Sequence, residues 1–160
     1  MVRFIAVFFL IIFFGCEMNS KQIVKPEKFT YEIVKFNTVS KELKYLSKID
    51  SPDQNNLNKI IQYWFDNRIK VDGFDGKLEI IVNEIDINRI KEKNYYKSSI
   101  SLSMEFIEKI SDTNIKNLII NVSEYGEIKG NFAINDQENL DVNLMHQSLE
   151  KVSLKLKEKN

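Results

Sequence analysis

The chain has 160 residues, 43% hydrophobic and 29% charged, and its 23 basic side chains balance 23 acidic ones. That balance removes the electrostatic case for a nucleic-acid partner or for steering toward anionic lipid. A single cysteine rules out an intramolecular disulfide, so the fold must rest on its core alone.

The chain opens with Arg3 and then an unbroken apolar run, Phe4 to Phe14, followed by Gly15 and the lone Cys16. A positive start, a short apolar stretch and a small residue before the break are the grammar of an export signal. As a helix the stretch 2–16 spans roughly 22 Å, short of the ~30 Å bilayer core, and Glu17, Asn19, Ser20 and Lys21 follow at once. A small residue followed by cysteine here resembles the bacterial lipoprotein signal. Phe13 and Phe14 stand where that signal usually carries leucine and a small residue. The resemblance implies cleavage after residue 15, lipidation of Cys16 and a membrane anchor; glutamate rather than aspartate at position 17 implies the outer membrane, periplasmic face. Removal of residues 1–15 leaves 145 residues with 22 basic and 23 acidic side chains, the size of one domain. Residues 16–28, polar and carrying Pro26, read as a tether with a reach of roughly 20 Å. Residues 29–160 read as one α+β domain.

Phe29–Phe36 is aromatic and β-branched, the first strand. Residues 37–50 show no clear period; Leu43, Tyr45, Leu46 and Ile49 can pack a loop onto the core. Ser51-Pro52-Asp53-Gln54 reads as a capping box with proline at the first helical position. Leu57, Ile60, Ile61, Trp64 and Arg68 continue at helical spacing, and Asp72-Gly73 reads as the end, glycine supplying a left-handed C-cap. Lys77–Ile90 alternates, but its apolar phase slips between Val82 and Ile85, which predicts a β-bulge. Tyr95–Ile107 alternates cleanly: Tyr96, Ile100, Leu102, Met104 and Phe106 on one face, Lys97, Ser99, Ser101, Ser103 and Glu105 on the other. Asp112-Thr113-Asn114 predicts a turn and Ile115–Val122 a strand, with Gly126 and Gly130 loosening the chain beyond it. A last helix, about Asp136 to Lys157 and capped by Asn135 or Asp136, carries the stripe Val142, Met145, Leu149, Val152, Leu156. The expected fold is α+β in the order β-α-β-β-β-α: an antiparallel or mixed four-stranded sheet with two helices packed on one face.

The run Trp64-x₃-Arg68-Ile69-x₃-Gly73-x₂-Gly76-x-Leu78 resembles one found in small alphaproteobacterial lipoproteins, over roughly residues 55–105. The element order and membrane tether are similar to lipopolysaccharide-assembly lipoproteins of the LptE type and to the auxiliary lipoproteins of ABC-type lipid transport systems. Those resemblances imply an accessory role and supply no catalytic residue or cofactor.

Candidate chemistry is sparse. His146 has no second histidine for a metal pair or an activated nucleophile, and reads as a surface or helix-flank residue. The DGFDG run at 72–76 faintly suggests a calcium loop, but Phe74 occupies a position needing an oxygen donor; a turn into the strand accounts for all five residues. Glu79, Glu84 and Asp86 read as solvated strand charges. No GxSxG, P-loop or HExxH is present. Trp64 reads as core, with the Arg68 guanidinium laid on its ring. The remaining candidate is a face: Ser99, Ser101 and Ser103 with Asn117, Asn121 and Ser123 form a polar, largely uncharged surface interrupted by Ile81 and Ile119. Such groups cost less to desolvate than Lys or Glu, so the face reads either as a solvated sheet or as a docking surface. The expectation is a non-enzymatic envelope lipoprotein that docks a membrane or periplasmic protein partner and takes no cofactor or metal. The rival is a lipid- or glycolipid-binding module, which needs an apolar cavity of ~300 Å³ or more; an envelope hydrolase without a recognisable motif is a weaker third.

Overall fold

The computed structural model describes Phe29, residues 31–46 and residues 52–159. The signal at 1–15, the lipidation site Cys16, the tether at 16–28, Ile49 and the Ser51 cap lie outside the described residues.

The first strand is shorter than expected: β1 covers Val34–Phe36. It is followed by β2 (Ser40–Tyr45), α1 (Pro52–Arg68), β3 (Ile69–Val71), β4 (Lys77–Glu92), β5 (Tyr95–Ser111), β6 (Asn114–Lys129) and α2 (Ile134–Lys159). The main sheet has the order β2-β4-β5-β6, with β2 parallel to β4 and the other pairs antiparallel. The sheet is thus mixed and four-stranded. A parallel pair needs a crossover, and α1 supplies it between β2 and β4. β1 and β3 form a separate parallel pair that closes one end.

Both helices cover one face. Leu57, Ile61, Trp64 and Phe65 of α1 and Leu144, Met145, Leu149, Val152 and Leu156 of α2 share one buried cluster with Leu78, Ile80, Val82, Ile100, Leu102, Met104 and Phe106. Trp64 has no exposed surface, and its indole N–H donates to Ser153 Oγ at 2.9 Å. The bulge predicted between Val82 and Ile85 is present: Val82 opposes Met104, Glu84 opposes Ser103, and Asn83 is the extra residue.

Four local expectations are corrected. The 37–50 segment contains a strand, β2, whose burial comes from Leu43 and Tyr45 packed on the core. Gly73 is not a left-handed C-cap, since the only positive-φ glycines among the described residues are Gly76 and Gly130. The end of α1 is satisfied by Lys41 of β2, whose ammonium donates to the carbonyls of Phe65 at 2.6 Å and Ile69 at 2.7 Å and lies 4.3 Å from the Phe65 ring centre. Burial pushes the Lys41 ammonium below its usual range. Gly73 is required for a different reason: a Cβ there would stand 2.4 Å from the backbone carbon of Asn37. Gly126 does not loosen β6, which runs on to Lys129; its missing Cβ makes room for Leu140 of α2. Finally, α2 starts at Ile134, and the Asp136 carboxylate reaches back to the Ala133 N–H at 2.7 Å, the acidic half of a capping box rather than an N-cap.

Arg68 lies 5.8 Å over the ring of Tyr31, not on Trp64. Tyr31 in turn is hydrogen-bonded through its hydroxyl to Nδ1 of His146, and Phe29 stacks on that imidazole with ring centres 4.5 Å apart. His146, on the flank of α2, is therefore a half-buried clasp for the segment entering β1. Burial lowers its pKa from the usual 6.5. A histidine whose folded pKa is depressed binds its proton more readily when unfolded, so stability is full above pH ~6.5 and falls as pH drops below it. Because the chain has one histidine, we expect the melting temperature to decline from pH 7.5 to 5.5, and His146→Gln to flatten that decline. A wild-type slope unchanged by the substitution would contradict the clasp.

Candidate docking face

Strand alternation divides β5 between two environments. Ile100, Leu102, Met104 and Phe106 are at most 3% exposed under the helices. The residues between them point the other way. The structure places Ser99, Ser101 and Ser103 on that outer face, beside Tyr125, Ser123 and Asn121 of β6 respectively. Ser101 and Ser123 are directly opposite, with their hydroxyl oxygens 2.7 Å apart. Asn117 joins the same face and donates from Nδ2 to Glu105 Oε1 at 2.6 Å. Asn121 lies exposed between them, its backbone carbonyl accepting from Lys155 of α2 at 2.9 Å. All five candidate residues therefore share one surface.

The composition of that surface is narrower than the sequence suggests. On the β4 side the bulge brings Glu84 opposite Ser103 and Asp86 opposite Ser101, both exposed. The uncharged strip belongs to β5 and β6, bordered by an acidic row. It carries apolar groups left open to solvent: Ile119 at 56% exposure and Tyr125 at 73%. Tyr125 escapes a reading of the sequence because Gly126 looks like the end of its strand. The signal that points to it is its parity with Asn121 and Ser123. Lys97 lies 5.4 Å over the Tyr125 ring and holds it along the sheet.

Of the acidic candidates, Glu84 and Asp86 stay on the exposed row, while Glu79 and the acidic turn enter structural pairs. Glu79 receives the Lys44 ammonium at 2.7 Å. Asp72 pairs with Lys35 at 3.3 Å, and the Gly73 N–H donates to the Thr38 carbonyl at 3.1 Å, so the DGFDG turn is tied to the β1–β2 link. Phe74 at its tip is 94% exposed. No cluster of three metal-ligating side chains occurs among the described residues, and no described helix is long and apolar enough to cross a membrane. Clefts of about 230 Å³ (Phe36, Leu78, Phe106, Leu118, Leu156) and about 250 Å³ (Arg89, Tyr96, Asp141) open at the two ends of the helix-covered face. A third cleft, of about 290 Å³, opens at Gly76, Lys109 and Ile115, close to the ~300 Å³ at which small-molecule sites begin.

No family model and no curated protein matches this chain. Solved structures do. Two of them are named lipoproteins. A minor lipoprotein of Acinetobacter baumannii is 13% identical with a TM-score of 0.42, over 79% of this chain and 91% of that one. The rare lipoprotein B of Shewanella oneidensis is 9% identical with a TM-score of 0.41, over 75% and 92%. A Xanthomonas campestris protein of the DUF330 family is 14% identical with a TM-score of 0.43, over 85% and 90%.

Proposed function

We propose that this chain is a non-enzymatic envelope lipoprotein, anchored through Cys16 to the outer membrane on its periplasmic side, which docks a protein partner as an accessory or assembly subunit. The observation that carries this reading is the uncharged strip of β5 and β6, with Ile119 and Tyr125 uncovered, on the face opposite both helices. Hydroxyl and amide groups shed water at lower cost than charges, and an exposed tyrosine is the kind of anchor that interfaces use, with Ile119 a separate apolar contact about 20 Å along the strand. The acidic row of Glu84 and Asp86 fixes one border and favours a partner with basic groups on that side.

The test is Ser101→Lys and Ser103→Glu in the native membrane. Exposed substitutions usually change stability by no more than about 0.5 kcal/mol, so both variants should fold and localise normally. Within a docked complex the same change buries an unpaired charge, at a cost of several kcal/mol. We expect the crosslinked partner seen with wild type to be lost. Charged variants that keep the full crosslinking pattern would remove the outer face from the account.

A further inference from the structure

The two edges of the main sheet are built differently. At one edge, β2 is six residues long and carries Lys41, Glu42 and Lys44. At the other, β6 runs for 16 residues, with no charge from Asn117 to Ser123 and no bulge within that span. Short length, charges and bulges are the usual defences of an edge against another strand, and β6 lacks all three there. Its open backbone groups can be assigned. Leu46 N–H bonds the Val82 carbonyl, so Val82 faces β2, its partner Met104 faces β6, and Ile120 faces β5. The N–H and C=O groups of Asn117, Ile119, Asn121, Ser123 and Tyr125 therefore point away from β5, to an edge that no described strand covers.

The strand is also complementary to itself. An antiparallel pair centred on Ile120 sets Lys116 opposite Glu124 and Leu118 opposite Val122 on the helix side, and Ile115 opposite Tyr125 on the outer face. The last match covers side chains that are 52% and 73% exposed in the single chain. Moving the centre to Asn121 puts Glu124 against Leu118; moving it to Ile119 puts Lys116 against Val122. One-residue slips of either strand are barred because they exchange the faces. Lys116 already reaches Glu108 at 3.4 Å and Glu124 already meets Lys151, so the new pairs extend two existing ion pairs instead of burying lone charges. The Lys155 ammonium occupies one carbonyl, and that oxygen has a second lone pair for an incoming N–H.

We propose that β6 pairs antiparallel with β6 of a second copy of this chain, centred on Ile120, so that two four-stranded sheets become one continuous sheet of eight. The pairing shares Tyr125 with the outer face but does not need the partner read there, and its test reads the chain's own mass rather than a partner's. In the full-length protein in its own membrane, Asn121→Cys places thiols diagonally across the two-fold, ~7–8 Å apart. A short bis-maleimide should then give a covalent dimer. Ser101→Cys, a strand further in, keeps its thiols beyond ~14 Å and should give none; wild type, with Cys16 alone, is the background. Adding Ile119→Pro to Asn121→Cys removes an N–H that points to the free edge and leaves the β5–β6 ladder intact, so the dimer should be lost while the fold is kept. Should proline disturb β6, Ile119→Lys places a charge on the same edge with the same expected loss. Absence of the dimer with Asn121→Cys, its survival in both edge variants, or an adduct of a different mass would each overturn self-pairing.

Discussion

Trp64→Ala should lower stability by about 3–5 kcal/mol, the cost of emptying a buried aromatic site. The indole is wholly enclosed between α1, α2 and the sheet, so its removal leaves a void lined by three elements. The lost hydrogen bond adds a second cost. Ser153 Oγ accepts from the indole at 2.9 Å while donating to the Leu149 carbonyl at 2.9 Å, and truncation leaves its acceptor side bare in the core. Against a total of about 5–15 kcal/mol, such a loss removes a large part of the stability. Trp64→Phe separates the two terms, since it retains most of the volume but not the N–H; a loss of about 1 kcal/mol is expected from the hydroxyl. Urea denaturation reads both. An unchanged midpoint for Trp64→Ala would show that the ring does not hold the layers together.

The second large effect lies at the opposite end of the helix-covered face. Asp141 of α2 is 6% exposed and is gripped by Arg89 of β4 through Nε at 2.9 Å and a terminal nitrogen at 2.7 Å. Both nitrogens converge on one oxygen, Oδ2, in a charge-assisted contact, while the Tyr96 hydroxyl lies 3.5 Å from Oδ1. The ion pair ties the far half of β4, beyond the bulge, to the first turns of α2. Arg89→Met strands the carboxylate in a buried setting, and a loss near 3 kcal/mol is expected, at the low end for buried pairs because a third of the arginine side chain meets solvent. Arg89→Met/Asp141→Leu should recover most of that loss, because an apolar pair of similar volume removes the unpaired charge. The double-mutant cycle decides the matter: additive effects would show that the two side chains are not coupled.

Elements whose pattern is set by their own burial were legible in the sequence. The stripes of α1 and α2 and the alternation of β5 each state a single buried face, and the phase slip between Val82 and Ile85 states the bulge. All of these are periodic signals from residues packing directly on one core. What escaped depends on distant partners. SKELKY reads as a polar loop, since Lys41 is not there for its strand but to close the last turn of α1. Gly73 and Gly126 look like breakers and are instead close-approach sites, whose reasons, Asn37 and Leu140, lie 36 and 14 residues away. The same holds for the face. The serines were visible because alternation fixes their side, whereas Tyr125 was hidden behind Gly126. The acidic border was hidden too, because only the strand register brings Glu84 and Asp86 beside them. The Arg68–Tyr31 and His146–Phe29 contacts bring together residues with no shared period at all.

The central claim is a docking domain held at a membrane by one lipidated residue, and metabolic labelling with a palmitate analogue tests it most directly. Several acyl chains, at ~0.8 kcal/mol per buried CH₂, make such an anchor stable, and Cys16 is the single cysteine available to carry them. Labelled wild-type protein in the membrane fraction is the predicted result, with the label lost in Cys16→Ser and the variant found either soluble or as an uncleaved precursor. A wild-type protein that stays unlabelled, or a label that persists in Cys16→Ser, would contradict the account.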